Sequence, residues 1–131
     1  MTISSKISDF LIQIKNAQKV NKTLCILPKS KIVLGTLNIL YNEGFINGYA
    51  LNNKNITVFL KYKLNAEPAI QQINILTKPG VPKYISVRKL QFLKRNNKNL
   101  GILILSTSQG ILSQKEALLS NNGGHLLCQI L

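Results

Sequence analysis

Two prolines and a glycine fall within five residues, Lys78-Pro79-Gly80-Val81-Pro82. Proline fixes φ and lacks a backbone N–H, so neither a helix nor a central strand runs through such a segment. The run predicts a rigid turn and a boundary between two lobes, residues 1–77 and 78–131. Before it, Ile7, Phe10, Leu11 and Ile14 fall at i, i+3, i+4 and i+7, one face of a helix. Ser4 or Ser5 is available as its N-cap, and Lys6, Lys15 and Lys19 lie off the stripe. Residues 24–27 read as a short strand ended by Pro28. Ser30 is placed to cap a second helix whose Val33, Leu37, Leu40 and Tyr41 share a face, and Gly44 to end it. Residues 45–51 and 56–62 are strand-like and meet at Asn52-Asn53-Lys54, where Asn tolerates positive φ and a hairpin fits. Ile56, Val58 and Leu60 point one way, and Thr57, Phe59 and Lys61 the other. With a further strand at residues 70–76, the first lobe reads as two helices on a small, mostly antiparallel sheet.

The second lobe reads as β-rich with one short helix, so the chain as a whole is α+β. Residues 84–87 suit a short strand, and residues 88–99, basic and rich in Asn, a helix-like turn with an exposed loop. Residues 101–105 form a buried strand that leads into Ser106-Thr107-Ser108-Gln109-Gly110. Ser113 and Glu116 make a capping box for a helix reaching about Ser120. Asn122-Gly123-Gly124 turns the chain into a closing strand at residues 125–131, with Leu126, Cys128 and Ile130 on one face. No internal repeat occurs.

The charge balance bounds the partner. The chain has 17 Lys and Arg against 4 Asp and Glu, a net +13 on 131 residues. Cations in that excess repel one another in isolation and become favourable when a polyanion neutralises them and its counterions are released. Hydrophobic residues make up 45%, enough for a packed core, which excludes a disordered basic tail. No segment joins a large apolar face to a dense basic one, so a membrane surface is the weaker partner. Arg88 and Arg95 are the only arginines beside 15 Lys, so phosphate neutralisation should outweigh bidentate base reading.

Cys25 and Cys128 lie in apolar runs and are expected as buried free thiols. One His and two distant Cys do not close a four-ligand zinc site, and no cofactor is expected. No apolar stretch approaches the ~18 residues that span a bilayer. The first helix carries Asp9 and continues into the domain, so no presequence is expected. The frequency of Lys, Asn and Ile suggests an A+T-rich coding sequence of organellar type.

The hydroxyl run is the chain's chemical centre. Ser and Thr hydroxyls both donate and accept, and they are small enough to let a partner approach. Such a run at a strand end on a basic body suits a nucleic acid with edges to read. A hydrolase is the rival, with Ser106 or Ser108, His125 and Asp9 as a notional triad. No G-x-S-x-G elbow, Walker motif or dinucleotide glycine pattern supports it, and an enzyme is not expected.

The order and spacing of several motifs resemble those of one family. Residues 7–17, Ile-Ser-Asp-Phe-Leu-Ile-Gln-Ile-Lys-Asn-Ala, are similar to its first helix, ending in the usual Arg/Lys-Asn-Ala. Leu27-Pro28-Lys29-Ser30-Lys31 and Glu43-Gly44-Phe45-Ile46 resemble the start and end of its second helix. Lys78-Pro79-Gly80 followed by Tyr84 resembles its inter-lobe segment. Leu100-Gly101-Ile102 leading into Ser106-Thr107-Ser108-Gln109-Gly110, and Gly123-Gly124 with Leu127-Cys128, resemble its central and C-terminal signatures. The family is that of the eighth protein of the small ribosomal subunit, found in bacterial-type and organellar ribosomes.

That resemblance implies binding to the central domain of small-subunit rRNA early in assembly, beside neighbouring small-subunit proteins, with the C-terminal lobe as the specific reader. It implies rRNA contacts from Ser106, Thr107, Ser108, Gly110, Gly123, Gly124 and His125. Regular A-form RNA hides its base edges in a deep groove, so readers of irregular helices use small donors and acceptors at close range. Lys6, Lys15, Lys29, Lys31, Lys78, Lys83, Arg88 and Lys89 are candidate phosphate contacts. Tyr84 either stacks on RNA or packs between the lobes. The chain departs from the family in three places: His125 replaces the usual Glu, Leu90-Gln91 the usual Leu-Pro, and the loop at residues 96–99 is longer and lacks the usual glycine. The Lys, Asn and Ile bias without a presequence suits the mitochondrial ribosome, with a plastid or the bacterial cytoplasm as alternative. The functional rival is an organellar RNA-binding factor outside the ribosome.

Overall fold

A computed structural model describes residues 3–76, 83–96 and 101–131. The expectations for Lys78, for the run at residues 78–82 and for residues 97–99 lie outside the described residues, as do the side chains of Ser4 and Ser5. The chain forms two compact units, Ile3–Gln71 and Gln72–Leu131. Both are mixed α and β, with antiparallel sheets.

In the first unit, α1 (Ile3–Lys19) buries the predicted stripe: Ile7, Phe10, Leu11 and Ile14 are all at most 3% exposed. Because α1 starts at Ile3, Ser4 and Ser5 fall in its first turn and not at the N-cap. Strand β1 (Leu24–Pro28) leads into α2 (Lys31–Asn42). Ser30 holds the N-cap backbone of α2 as expected but makes no side-chain capping bond. Val33, Leu37 and Leu40 are buried with Thr36 and Ile39, whereas Tyr41 is half exposed. At ~100° per residue the inward face of α2 centres between residues 33, 36, 37 and 40, which leaves Tyr41 on its rim. There its ring meets Tyr49 edge-on, with centroids 6.4 Å apart. Gly44 takes φ +79, and the N–H groups of Gly44 and Phe45 donate to Tyr41 O and Leu40 O, a Schellman ending that needs a left-handed residue. Strands β2 (Ile46–Leu51) and β3 (Asn55–Leu60) form the hairpin, and β1 pairs with the other edge of β3, giving the order β1-β3-β2.

In the second unit, the seven-residue strand β8 (Gly124–Ile130) is central. On one side it pairs with β6 (Ile102–Thr107), and β6 pairs in turn with β7 (Gly110–Ser113). On its other side lie β4 (Ile73–Ile75) and β5 (Tyr84–Ile85), end to end along the same edge. Leu76 N–H donates to Leu127 O and Leu126 N–H donates to Lys83 O, so the chain on both flanks of residues 77–82 is bonded to β8. The division of the chain therefore falls after Gln71 and not after residue 77. The strand expected at residues 70–76 shrinks to β4 and belongs to the second sheet.

Helix α3 (Val87–Asn96) is a full helix where a turn and loop were expected. Gln91 keeps the backbone N–H that a proline lacks, so the helix runs through it unbroken. Helix α4 (Gln114–Leu119) starts at Ser113, whose Oγ accepts the Glu116 N–H at 3.3 Å. Leu90, Leu103, Leu105, Ala117 and Ile85 form the buried cluster under α3 and α4. The register of β6 against β8 slips between Ile104↔Cys128 and Leu105↔Leu126, so Leu127 is an extra, bulged residue. That bulge corrects the expected face of β8: Leu126 joins the Leu103 and Leu105 side, opposite Cys128 and Ile130. No described helix is long and apolar enough to cross a membrane.

Candidate nucleic-acid interface

The hydroxyl run is not a loop. Ser106 and Thr107 close β6, Gly110 opens β7, and only Ser108 and Gln109 form the turn of a tight hairpin. Residues 110–113, for which no element was expected, form strand β7. The Thr107 hydroxyl holds this turn: it donates to Gly110 O at 2.9 Å and accepts the Gln109 N–H at 3.2 Å. Thr107 therefore shapes the hairpin with the group that was expected to face a ligand. Gly110 sits at φ +110, a conformation that costs a side-chain-bearing residue strain.

Register then assembles the site. Ser106 pairs with His125 across β6 and β8, and His125 pairs with Tyr84 across β8 and β5. Directly opposite residues share a face of the sheet, so Tyr84, His125 and Ser106 form one transverse row. The Tyr84 and His125 rings meet edge-on with centroids 5.6 Å apart. Tyr84 is 66% exposed: part of its ring rests on His125 and its hydroxyl end lies near Gly123, while most of its surface is open. Among the described residues, the hydroxyls of Ser106, Ser108 and Tyr84 and the ring nitrogens of His125 make no hydrogen bond.

Two glycines let the row close up. A Cβ on Gly124 would stand 2.5 Å from Ser106 O and 2.8 Å from Thr107 Cγ2. A Cβ on Gly123 would stand 2.6 Å from Ile85 O and 2.9 Å from the Tyr84 hydroxyl. Gly123-Gly124 thus serves close approach between strands and not only a turn. The chain enters it from α4 by a Schellman ending: Asn121 takes φ 57, and the Asn122 N–H donates to Ala117 O at 2.9 Å.

The result is an open concavity of about 650 Å³ at one end of the second sheet. It gathers Tyr84, Ser106, Thr107, Ser108, Gly123, Gly124 and His125 from the sequence expectation. It also gathers Ser86, Val87, Asn121 and Asn122, which the expectation missed as site residues. Asn121 carried a signal, since Asn is the residue besides glycine that ends helices in the left-handed region. Ser86 carried one as an N-cap: its Oγ accepts the Lys89 N–H at 3.4 Å at the start of α3.

Of the expected cations, Lys83, Arg88 and Lys89 adjoin residues that line the concavity and do not themselves line it. Lys83 precedes β5, and Arg88 and Lys89 follow Val87 on α3; all three are exposed. In the first unit, Lys6 and Lys29 line one small hollow with Asp9, while Lys15 lies about half a turn away from Lys6 on the far flank of the buried stripe. Lys31 is exposed at the first turn of α2. The second unit holds eight Lys and Arg against one acid, Glu116, and the first unit nine against three. Glu116 is occupied in the α4 cap, where Ser113 Oγ donates to its Oε1 at 3.3 Å.

The fold and site define a class: a small, strongly basic α+β chain that places unpaired hydroxyls, an imidazole and an open aromatic ring at a glycine-tightened sheet end. The family model for ribosomal protein S8 matches residues 5–131. The small ribosomal subunit protein uS8 of Gluconacetobacter diazotrophicus is 37% identical over 135 residues, covering 99% of each chain. Those of Rickettsia typhi and Anaeromyxobacter dehalogenans are 36% and 34% identical over 134 residues, with the same coverage. The chain belongs to the ribosomal protein S8 family.

Proposed function

We propose that this protein is a structural constituent of the small ribosomal subunit and that the concavity at the end of its second sheet binds small-subunit rRNA. The observation that carries this reading is the row Tyr84–His125–Ser106, whose polar groups are open, on a unit with eight cations and one acid. An irregular RNA helix exposes base edges and 2′-hydroxyls at close range, and small hydroxyls and an aromatic face suit both. Exposed lysines on each unit hold phosphates and give affinity without sequence preference. Within this reading the chain is a scaffold and not an enzyme, it engages the central domain of the rRNA during assembly, and it adjoins other small-subunit proteins. We place it in a mitochondrial ribosome on its Lys, Asn and Ile bias; its relatives named above are bacterial.

The test is binding of the purified chain to a small-subunit rRNA transcript, with Ser106→Ala and Ser108→Ala beside wild type. Weakened binding to that transcript with unchanged binding to a random duplex is expected. Equal losses on both RNAs would show that the hydroxyls are not readers. Sedimentation from lysate is the second arm: failure to travel with small subunits sinks the ribosomal reading, and co-migration with organellar small subunits supports the compartment.

A further inference from the structure

We infer that the outward face of α3, carrying Arg88, Phe92 and Arg95, is a second RNA-contact surface on which an unpaired nucleotide stacks. The inference rests on the rRNA-binding reading above and deepens it. Helix α3 is anchored by its inner side, where Leu90 is buried and Leu93 packs on the core cluster. Positions 88, 92 and 95 follow i, i+4 and i+7, so they fall on one stripe away from that side. Phe92 is 63% exposed, and it has no part in the ring contacts made among the described residues.

The surroundings of Phe92 select the partner. The ten residues of α3 hold Arg88, Lys89, Lys94 and Arg95 and no acid. The chain's only two arginines both flank this ring. An exposed phenyl among four cations would face repulsion from a basic partner and offers nothing to an uncharged apolar one that its cations do not spoil. A nucleotide matches both halves: its base presents a π-face to Phe92, and its phosphates meet planar guanidinium groups that pair with phosphate or stack on bases. The stripe also continues the concavity, because Val87, which lines it, is the residue before Arg88. Of the other exposed rings, Tyr84 belongs to the concavity already described, Phe59 opposes Leu24 in the first sheet, and Tyr41 lies next to Asn42 and Glu43.

The chain contains no tryptophan, so Phe92→Trp places a single tryptophan at the stacking position, excited selectively over the four tyrosines. With a small-subunit rRNA transcript as probe, Phe92→Ala is expected to weaken binding about tenfold, the scale of one base–aromatic stack. Phe92→Leu should weaken it nearly as much, because Leu keeps apolar area without a π-face. Phe92→Trp should keep wild-type affinity, with its emission quenched as RNA is added. Arg88→Ala and Arg95→Ala should each lower the salt slope of binding by about one phosphate contact. Wild-type affinity of Phe92→Leu, or unquenched emission at saturating RNA, would overturn the inference. So would a Phe92→Ala protein that binds naked rRNA fully yet enters small subunits poorly, since that assigns the face to a protein partner. If wild type itself fails to bind the rRNA, the functional reading falls; if only Phe92→Ala is silent while Ser106→Ala is weakened, this inference falls alone. The exposure of Phe92 means each variant should unfold at the wild-type midpoint, which circular dichroism checks.

Discussion

Gly124 passes so close beneath β6 that a Cβ on it would stand 2.5 Å from the Ser106 carbonyl oxygen. The same residue pairs with Ile85 on its other side, so it is held between two strands. Gly124→Ala must therefore push β8 from β6 at the end that carries the concavity. The expected cost is about 1–3 kcal/mol, the scale of overpacking in a filled interior. Urea denaturation measures it, and an unchanged midpoint would show that the approach is looser than the geometry says. Gly110→Ala is the contrast: open space surrounds its Cβ position, so only its φ of +110 opposes the change.

The three hydroxyls should separate by assay. Thr107→Ala removes the bonds to Gly110 O and from Gln109 N–H, so it should lower stability by about 0.5–1.5 kcal/mol. Thr107→Ser should restore it. Ser106→Ala and Ser108→Ala break no bond among the described residues, so stability should hold while rRNA affinity falls. Thermal melts beside binding curves decide, and a Ser108→Ala protein with lowered stability and intact binding would reverse the assignment.

Binding to rRNA should weaken steeply with salt. Each neutralised phosphate contributes a slope of ~0.7–0.9 in log K against log salt, so six or more contacts lose on the order of a thousandfold between ~50 and ~200 mM. The cations are divided between both units, so removing those of one unit should leave a reduced slope and not abolish it. A flat titration would contradict a phosphate-holding surface.

The two thiols should differ in reactivity and in their effect on alkaline stability. Burial pushes Cys128 up from its usual 9.0 to about 12. Burial also raises Cys25, and the Lys22 charge partly offsets it. An alkylating reagent at about pH 8 should modify Cys25 first and reach Cys128 only on unfolding, because the thiolate is the reactive form. A thiol whose folded pKa lies above its unfolded value stabilises fully below the unfolded value and loses that contribution as pH rises through the folded one. Stability should thus fall between pH 9.0 and about 12, less steeply in Cys128→Ala. Equal labelling rates in the native protein would disprove the burial assignment.

Much of the first unit was legible because each of its elements has one buried face. Ile7, Phe10, Leu11 and Ile14 on α1, and Ile56, Val58 and Leu60 on β3, are the residues their periods single out, and all are buried. Tyr41 was misread because an aromatic at helical spacing looks apolar to a pattern, while the rim of α2 leaves it half exposed. The second unit was less legible. A Pro-rich run looks like a boundary, yet Leu76 and Lys83 on either side of it bond to the same strand. Strand β7 was missed because its Gly110 and Ser113 flank only two apolar residues.

For the site, the hydroxyls of Ser106 to Ser108 and the excess of cations were read from residue chemistry, while Gly123-Gly124, Tyr84 and His125 entered only with the family resemblance. Residue types and their local order carry that information, since hydroxyls, glycines and charge have the same chemistry in any fold. The row Tyr84–His125–Ser106 was beyond reach, because it depends on three strands from distant parts of the chain and on their register. One bulge at Leu127 decides which residues of β8 face the core cluster, and a slip of a single residue reverses every side chain beyond it. Pairing across a sheet is a non-local property, and it alone set Ser106 opposite His125 and His125 opposite Tyr84, whereas the Thr107 hydroxyl is held by bonds within its own hairpin turn.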